Sequence, residues 1–174
     1  YNKMVRLDEN VTEKWAQVEN DYQRRADLIP NLVKTVRSYA EYEQETLTEV
    51  VEARAKATSV NIDPSNLNAQ SIQQFQQAQE GLNSALSKLL VVVEKYPDLK
   101  ANQNYMDLQR QLEGTENRIS NARRKFNEAT REYNGYIKRF WPRMLASWFG
   151  FEEKAYFEAK EGAEEVPDVG DYLD

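Results

Sequence analysis

Apolar residues recur at steps of three and four along most of this chain, and this spacing constrains its fold more than any other feature. One such series lies in residues 4–26, a second in residues 32–54, a third in residues 72–96 and a fourth in residues 105–140. Steps of three and four place all members of a series on one face of an α-helix. The sequence therefore predicts an all-α fold: an antiparallel up-and-down four-helix bundle of long helices with a left-handed twist.

Pro30 decides where the first helix ends. A proline inside a helix removes one backbone hydrogen bond and clashes with the preceding turn, at a cost of about 3 kcal/mol. Asp27 could instead cap a new helix that has Pro30 in its first turn. The sequence therefore favours a tight turn near residues 25–30. The alternative is one long helix that is kinked at Pro30.

The amino-acid composition excludes several kinds of chemistry. The chain has no His and no Cys, so it has no thiol nucleophile, imidazole base or disulfide, and no thiolate or imidazole ligand for zinc. Glu41, Glu45, Glu49 and Glu52 recur along one predicted helix face and are expected to be solvated rather than to bind a cation. We therefore expect no enzymatic activity, no cofactor and no metal site.

Charge is distributed unevenly along the 174 residues. Residues 152–174 carry nine acids and two bases, whereas residues 1–151 carry 20 acids and 21 bases. A nearly neutral body is a poor surface for nucleic acid, because that affinity comes largely from neutralising phosphates. We therefore expect no nucleic-acid partner. We also expect a helical domain in residues 1–157 and a loosely ordered acidic tail in residues 158–174.

Charged residues also fall on or near the apolar faces of the predicted helices. Such residues can pair between neighbouring helices and fix the register of a bundle. The candidate polar network consists of Glu43, Arg54, Glu116 and Arg123.

Asparagines at positions 104, 127 and 134 interrupt the fourth predicted helix. Asparagine is a poor residue for a helix interior. We therefore expect these side chains to form hydrogen bonds across the bundle, as polar residues do in coiled coils.

Residues 140–157 contain seven aromatic side chains. In the predicted bundle this segment lies at the same end as Tyr1, with Pro30 and Pro97 at the other end. The segment could fold back and cap the core, or it could dock on a membrane or a partner. Trp favours the headgroup level of a bilayer, and three bases between residues 138 and 143 favour anionic lipid. The candidate interaction residues here are Trp141, Trp148, Phe149 and Phe151.

Arg24 and Arg25 precede the turn that is predicted at Pro30. If that turn exposes them at the end of the bundle, they could bind an anionic group of a partner. The alternative, which we favour, is that they bond to backbone carbonyls at a helix end.

Two blocks of the sequence are distinctive, RRADLIPNLV at residues 24–33 and YPDL at residues 96–99. Together with single positions along the chain, they resemble the LemA family of bacterial proteins, and the resemblance extends from Tyr1 to about Phe157. The other matching positions are Tyr1, Asn2, Trp15, Glu43, Arg54, Glu116, Arg123, Asn127, Tyr133 and Asn134.

This resemblance implies a helical bundle behind a single N-terminal transmembrane helix in a bacterial envelope. The sequence begins at Tyr1 rather than Met, and we expect the anchor to precede that residue. The side of the membrane stays open, with a preference for the extracytoplasmic side. The resemblance brings no catalytic residues with it. We therefore expect a non-catalytic scaffold or protein-interaction module whose protein partner is unknown. The alternative is a bundle that binds a small ligand or an ion.

Overall fold

The computed structural model describes residues 1–157, apart from the side chain at position 140; the predicted acidic tail, residues 158–174, lies outside the described residues. The described residues form six α-helices, one 3₁₀ turn at Pro64–Asn66 and no strand, which confirms the all-α prediction. The helices are α1 (Asn2–Tyr39), α2 (Gln44–Ser59), α3 (Ala69–Val93), α4 (Pro97–Lys100), α5 (Gln103–Ile137) and α6 (Phe140–Phe149).

Helix α1 is 38 residues long and continues through Pro30. The predicted turn at residues 25–30 is therefore wrong. The carbonyl oxygen that proline leaves without an intrahelical donor is that of Ala26, four residues earlier. Arg54 of α2 donates its Nε–H to this oxygen at 2.8 Å. Asp27 does not cap a helix; it lies inside α1 and accepts a hydrogen bond from the side-chain amide of Gln23 at 2.8 Å.

The chain reverses at residues 40–43 instead. The amide of Ala40 donates to the carbonyl of Val36 at 2.9 Å, and the amide of Glu43 donates to the carbonyl of Ala40 at 3.1 Å. The second long helix is therefore α2, which has 16 residues. It is shorter than the helix that the apolar series in residues 32–54 predicts, because residues 32–39 belong to α1.

The most extensive contact between helices joins α1 and α5. Near one end, the Asn102 side chain donates to the hydroxyl oxygen of Tyr39 at 3.0 Å. Further along, the Trp15 and Phe126 rings lie 5.4 Å apart between centroids. Residue numbers rise along α1 as they fall along α5, so the two helices run antiparallel.

Helices α2 and α3 form the second extensive pair. Lys88 lies 3.4 Å from a carboxylate oxygen of Glu49, and the Gln79 side chain donates to the carbonyl of Ala57 at 3.5 Å. These contacts make α2 and α3 antiparallel as well.

The buried apolar residues form two clusters along the helix axes. The N-terminal cluster surrounds Trp15 and includes Phe75 and Phe126. The C-terminal cluster surrounds the second half of α1 and includes Leu32 and Leu89. Along α1, α3 and α5 a polar residue lies at the boundary between the two clusters, so the core is divided by a polar layer.

Candidate functional site

The aromatic segment lies at the end of the molecule where α1 begins. The ring of Tyr1 packs against Phe149 with centroids 4.8 Å apart, and against Phe151 at 6.3 Å. The predicted position of this segment beside Tyr1 agrees with these contacts. Pro97 begins α4 at the opposite end, as expected, whereas Pro30 lies within α1 rather than at an end.

Helix α6 is short and ends sharply. Gly150 follows its last residue with φ 76°, a left-handed conformation that glycine adopts without a Cβ clash. The amide of Phe151 then donates to the carbonyl of Ala146 at 2.9 Å. Ala146 itself is buried in the N-terminal cluster, so α6 meets the core through a small side chain.

The large apolar residues of α6 face solvent. Trp148 is 86 % exposed and Trp141 is 72 % exposed. Five apolar residues of α6 are separated in sequence by three, one, three and one positions. This spacing places their side chains on the same side of the helix. They are Trp141, Met144, Leu145, Trp148 and Phe149.

The segment that contains α6 is basic. Residues 133–151 contain three bases and no acid. Lys138 contacts Glu153 at 2.6 Å, and this hydrogen-bonded ion pair raises the pKa of Lys138. The guanidinium of Arg139 lies 5.9 Å from the ring centroid of Tyr136. Arg143 is exposed on α6 itself.

Residues 151–157, which we call the return segment, run back along α5. Asn134 donates to the carbonyl of Lys154 at 2.8 Å and accepts from the Lys154 amide at 2.9 Å. Asn127 makes the same pair of bonds with Phe157, donating at 3.3 Å and accepting at 2.9 Å. Each asparagine side chain thus bonds both polar groups of one residue, as a neighbouring strand would.

The spacing of these bonds follows from backbone geometry. Asn127 and Asn134 are one heptad apart, which spans about 10.5 Å along a helix. Lys154 and Phe157 are three residues apart, which spans about 10 Å in extended chain. The two spans match, so both asparagines can bond the return segment in one register.

The return segment places the Phe157 ring in the N-terminal cluster. This ring is 4 % exposed and stacks on Trp15 with centroids 5.7 Å apart. It also contacts Phe126 edge-on at 5.5 Å, and the guanidinium of Arg123 lies 4.9 Å from its centroid. Residues 151–157 thus fold back on the core, while α6 keeps its apolar face exposed.

Tyr133 is a third side chain of α5 that bonds the return segment. Its hydroxyl donates to the carbonyl of Glu152 at 2.9 Å. Burial raises the pKa of Tyr133, and the nearby carboxylates of Asp8 and Glu152 raise it further. The phenol therefore stays protonated at neutral pH and remains a hydrogen-bond donor.

Arg25 is the centre of the polar layer in the core. Its guanidinium is 3 % exposed and donates to Glu116 at 3.0 Å, to the Gln79 side-chain oxygen at 2.8 Å and to the Gln79 carbonyl at 3.3 Å. A planar guanidinium can serve several acceptors at once, which one ammonium cannot do in the same geometry. This layer links α1, α3 and α5.

Tyr22 borders the same layer. Burial raises its pKa, and the positive charges of Arg123 and Arg25 oppose that effect. Arg123 also forms a hydrogen bond with the Tyr22 side chain. The layer therefore holds two arginines beside one carboxylate, that of Glu116.

Residues 14–170 match the LemA family model. This chain belongs to the LemA family. The family resemblance that the sequence blocks indicated is thereby confirmed.

Two kinds of relative illustrate the breadth of the LemA family. The chain is 23 % identical over 163 residues to Protein LemA of Metamycoplasma hominis, covering 92 % of this chain and 69 % of that protein. It is 28 % identical over 180 residues to Magnetosome protein MamQ of Magnetospirillum gryphiswaldense, and 27 % identical to Magnetosome protein MamQ 2 of Paramagnetospirillum magneticum. Each of these two alignments covers 92 % of this chain and 65 % of the magnetosome protein. The chain thus spans slightly less than two thirds of the length of those relatives.

The predicted interaction residues of this LemA-family chain fall into three environments. Trp141, Trp148 and Phe149 are exposed on α6, while Phe151 is half-buried against the N-terminal cluster. Arg24 is exposed, but it lies in the middle of α1. The predicted placement of Arg24 and Arg25 at the end of the bundle is wrong, because α1 continues through Pro30, and Arg25 is buried.

The structure does not bring the predicted polar network together as one group. Glu116 and Arg123 both lie beside Tyr22. Glu43 precedes α2 near the opposite end and accepts a hydrogen bond from the Tyr96 hydroxyl at 3.3 Å. Arg54 donates to the carbonyl oxygen of Ala26 in α1.

Sequence reasoning missed Gln79 and the burial of Arg25. The signal was present: Gln79 lies four residues after Phe75 and three before Leu82, on the apolar face of α3. Arg25 lies three residues after Tyr22 and four before Ile29, on the apolar face of α1. A polar residue at such a position on each helix indicates a shared polar layer.

Two further findings concern membranes and metals. None of the helices in residues 1–157 is both long and apolar enough to cross a bilayer. The same residues contain no group of three or more acidic side chains placed to hold a metal ion.

Proposed function

We propose that this chain is a non-catalytic domain of a membrane-anchored bacterial envelope protein, and that it acts as a scaffold or interaction module. The exposed apolar face of α6 carries the proposal. Large apolar side chains that face water in a group typically mark a contact surface. Trp148 at 86 % exposed and Trp141 at 72 % exposed are the extreme members of that face.

The proposed role of the long helices is to hold α6 in place. We propose that α1, α2, α3 and α5 form an up-and-down antiparallel four-helix bundle with a left-handed twist. The antiparallel directions of α1 against α5 and of α2 against α3 support this arrangement. The hydrogen bonds to the return segment then fix α6 at one end of a rigid body.

A non-catalytic role fits the chemistry of the interior. The buried guanidinium of Arg25 bonds Gln79 and Glu116, which link neighbouring helices. Such bonds specify how helices pack. We therefore propose that the polar layer sets helix register.

A membrane anchor before Tyr1 is part of the proposal. It rests on the expectation from the LemA resemblance, and on the position of Tyr1 beside α6. An anchor at that end would bring α6 close to the membrane. We propose the extracytoplasmic side for the domain.

Site-specific photo-crosslinking in cells tests the proposal. A photo-reactive phenylalanine analogue replaces Trp148 in the full-length protein, and mass spectrometry identifies the crosslinked molecules. The matched control places the analogue at Val91, which is 66 % exposed on α3. We expect crosslinks at position 148 that are absent at position 91. Equal crosslinking at both positions, or none at position 148, would contradict a contact role for α6.

A further inference from the structure

We propose that α6 lies flat in the headgroup region of an anionic lipid bilayer, with its tryptophans inserted at the level of the lipid glycerols. This inference names the molecule that the α6 face contacts, and it rests on the proposed function of that face.

The geometry of α6 suits a helix that lies parallel to a surface. At about 100° per residue, its five exposed apolar side chains fall within an arc of about 140°. Trp141 and Trp148 are separated by about 10.5 Å along the axis and lie on the same side. Both indoles would therefore reach the same depth in a helix parallel to the membrane. A ten-residue helix is too short to span the hydrocarbon layer, which requires about 20 residues.

The side chains are those that favour the interface between lipid and water. Indole combines a large apolar ring with one N–H donor, and Trp is accordingly enriched at the headgroup level. Met144 and Leu145 lie between the two tryptophans and are 58 % and 37 % exposed. Tyr1 extends the aromatic surface beside Phe149. An interfacial helix of this kind binds through its buried apolar area and through charge.

The charges around α6 complement lipid phosphate. The segment 133–151 has bases at positions 138, 139 and 143 and no acid. Lys3 adds another cation nearby, 4.8 Å from the ring centroid of Tyr136. Two acids near this surface are paired, Glu153 with Lys138 at 2.6 Å and Asp8 with Lys154 at 2.6 Å, while Glu152 is exposed beside Phe151.

A second copy of the chain would fit this face less well. A two-fold contact places the same patch of both subunits together. Such a contact would also bring the bases that flank α6 in the two copies closer together, with no acid in residues 133–151 to compensate. Phosphate groups on a lipid surface supply the opposite charge along the whole helix.

Vesicle flotation tests the inference with the purified 174-residue chain. The probes are vesicles of phosphatidylcholine alone and of phosphatidylcholine mixed with phosphatidylglycerol. We expect flotation with the anionic vesicles, weakened by salt, because electrostatic attraction to the surface is screened. The double variant Trp141→Ala, Trp148→Ala should reduce partitioning about tenfold or more, because it removes the two largest inserted side chains.

A matched control removes two apolar side chains that are exposed elsewhere. Tyr42 is 97 % exposed at the opposite end and Val91 is 66 % exposed on α3. The variant Tyr42→Ala, Val91→Ala should float like the original chain. Circular dichroism checks that both double variants keep their helices. Absence of flotation with anionic vesicles, or equal flotation of both double variants, would overturn the inference.

The crosslinking experiment separates failure of this inference from failure of the proposed function. A chain that does not bind vesicles but crosslinks to a distinct protein at position 148 refutes lipid docking and leaves α6 as a contact surface. A chain that does neither refutes both.

Discussion

The Nε–H of Arg54 donates to the carbonyl oxygen of Ala26 at 2.8 Å, and Ala26 is the residue whose carbonyl Pro30 leaves without an intrahelical donor. A side chain of α2 thus replaces the missing amide of α1. Because Ala26 is 3 % exposed, few water molecules could reach that oxygen. The bond explains how one helix continues through a proline that would otherwise end it.

Replacing Arg54 with Met should lower the free energy of unfolding by about 1–3 kcal/mol, because it leaves a buried carbonyl oxygen without a donor. The loss should shrink by at least about 1 kcal/mol in a Pro30→Ala background, since alanine restores the backbone donor. Denaturant unfolding of the two single variants and the double variant measures this coupling.

The control for this cycle is Lys56→Met, which removes an exposed positive charge from the same helix. Its effect should stay within about 0.5 kcal/mol and should not depend on residue 30. Additive effects of Arg54→Met and Pro30→Ala would show that the hydrogen bond does not compensate for the proline.

The error at Pro30 shows where sequence reasoning about the fold stops. Apolar spacing correctly identified helical segments, because periodicity is a local property that each helix carries in its own residues. Whether the helix continues through Pro30 depends on Arg54, which is 24 positions away in sequence and belongs to another helix. The free-energy cost of a proline in a helix can be inferred from the sequence, whereas the hydrogen bond from Arg54 that offsets this cost cannot.

The aromatic segment shows the same limit for the candidate site. Composition located it, but the sequence could not divide it into a helix with an exposed apolar face and a return segment that is bonded to α5. Asn127 and Asn134 were predicted to bond across the bundle, and they bond the return segment instead. Asn104 is exposed near the start of α5. The heptad spacing of the first two asparagines was readable, but the extended chain that matches it was not.

Replacing Asn134 with Ala should loosen the return segment. The change removes two hydrogen bonds with the backbone of Lys154, in a position that is 1 % exposed. We expect the free energy of unfolding to fall by about 1–3 kcal/mol. Amide exchange should become faster in residues 151–157, before the long helices exchange.

Asn121→Ala is the matched control for this prediction. Asn121 is exposed on the same helix and accepts a hydrogen bond from Arg124. Its replacement should leave exchange of the return segment unchanged. If Asn134→Ala also leaves exchange in residues 151–157 unchanged, the asparagine bonds do not hold that segment.

Replacing Arg25 with Lys should destabilise the polar layer despite keeping the charge. One ammonium cannot reach the Gln79 side chain, the Gln79 carbonyl and Glu116 together. We expect a loss of about 2–3 kcal/mol in the free energy of unfolding. Glu116→Gln should cost less, about 1 kcal/mol, since it keeps an acceptor oxygen and the Glu116 side chain is 49 % exposed to screening solvent.

Arg24→Lys is the control for the Arg25 variant, because Arg24 is the exposed neighbour on the same helix. Its effect should stay within about 0.5 kcal/mol. Thermal unfolding monitored by circular dichroism compares the three variants. Equal losses for Arg24→Lys and Arg25→Lys would mean that the guanidinium geometry of the polar layer contributes nothing to stability.

Glu19 should make the stability of the fold depend on pH in a direction opposite to that of an ion-paired carboxylate. Burial raises the pKa of Glu19 above 4.5, although the hydrogen bond from the Trp15 indole opposes the shift. The folded chain therefore holds this proton more tightly than the unfolded chain. The stabilising contribution of Glu19 is complete below the unfolded pKa and is lost as pH rises through the folded pKa.

Glu19→Gln should therefore stabilise the fold at neutral pH, because glutamine keeps an acceptor for the Trp15 indole and carries no charge to desolvate. Between about pH 7 and about pH 4 the advantage of the variant should shrink, since the carboxyl of the original chain becomes neutral there too. Urea unfolding across this range measures the difference. Glu13→Gln, on an exposed part of the same helix, should show no such trend. A variant that is less stable than the original chain at neutral pH would mean that the Glu19 charge stabilises the fold through its bond to Trp15, against the direction that burial imposes.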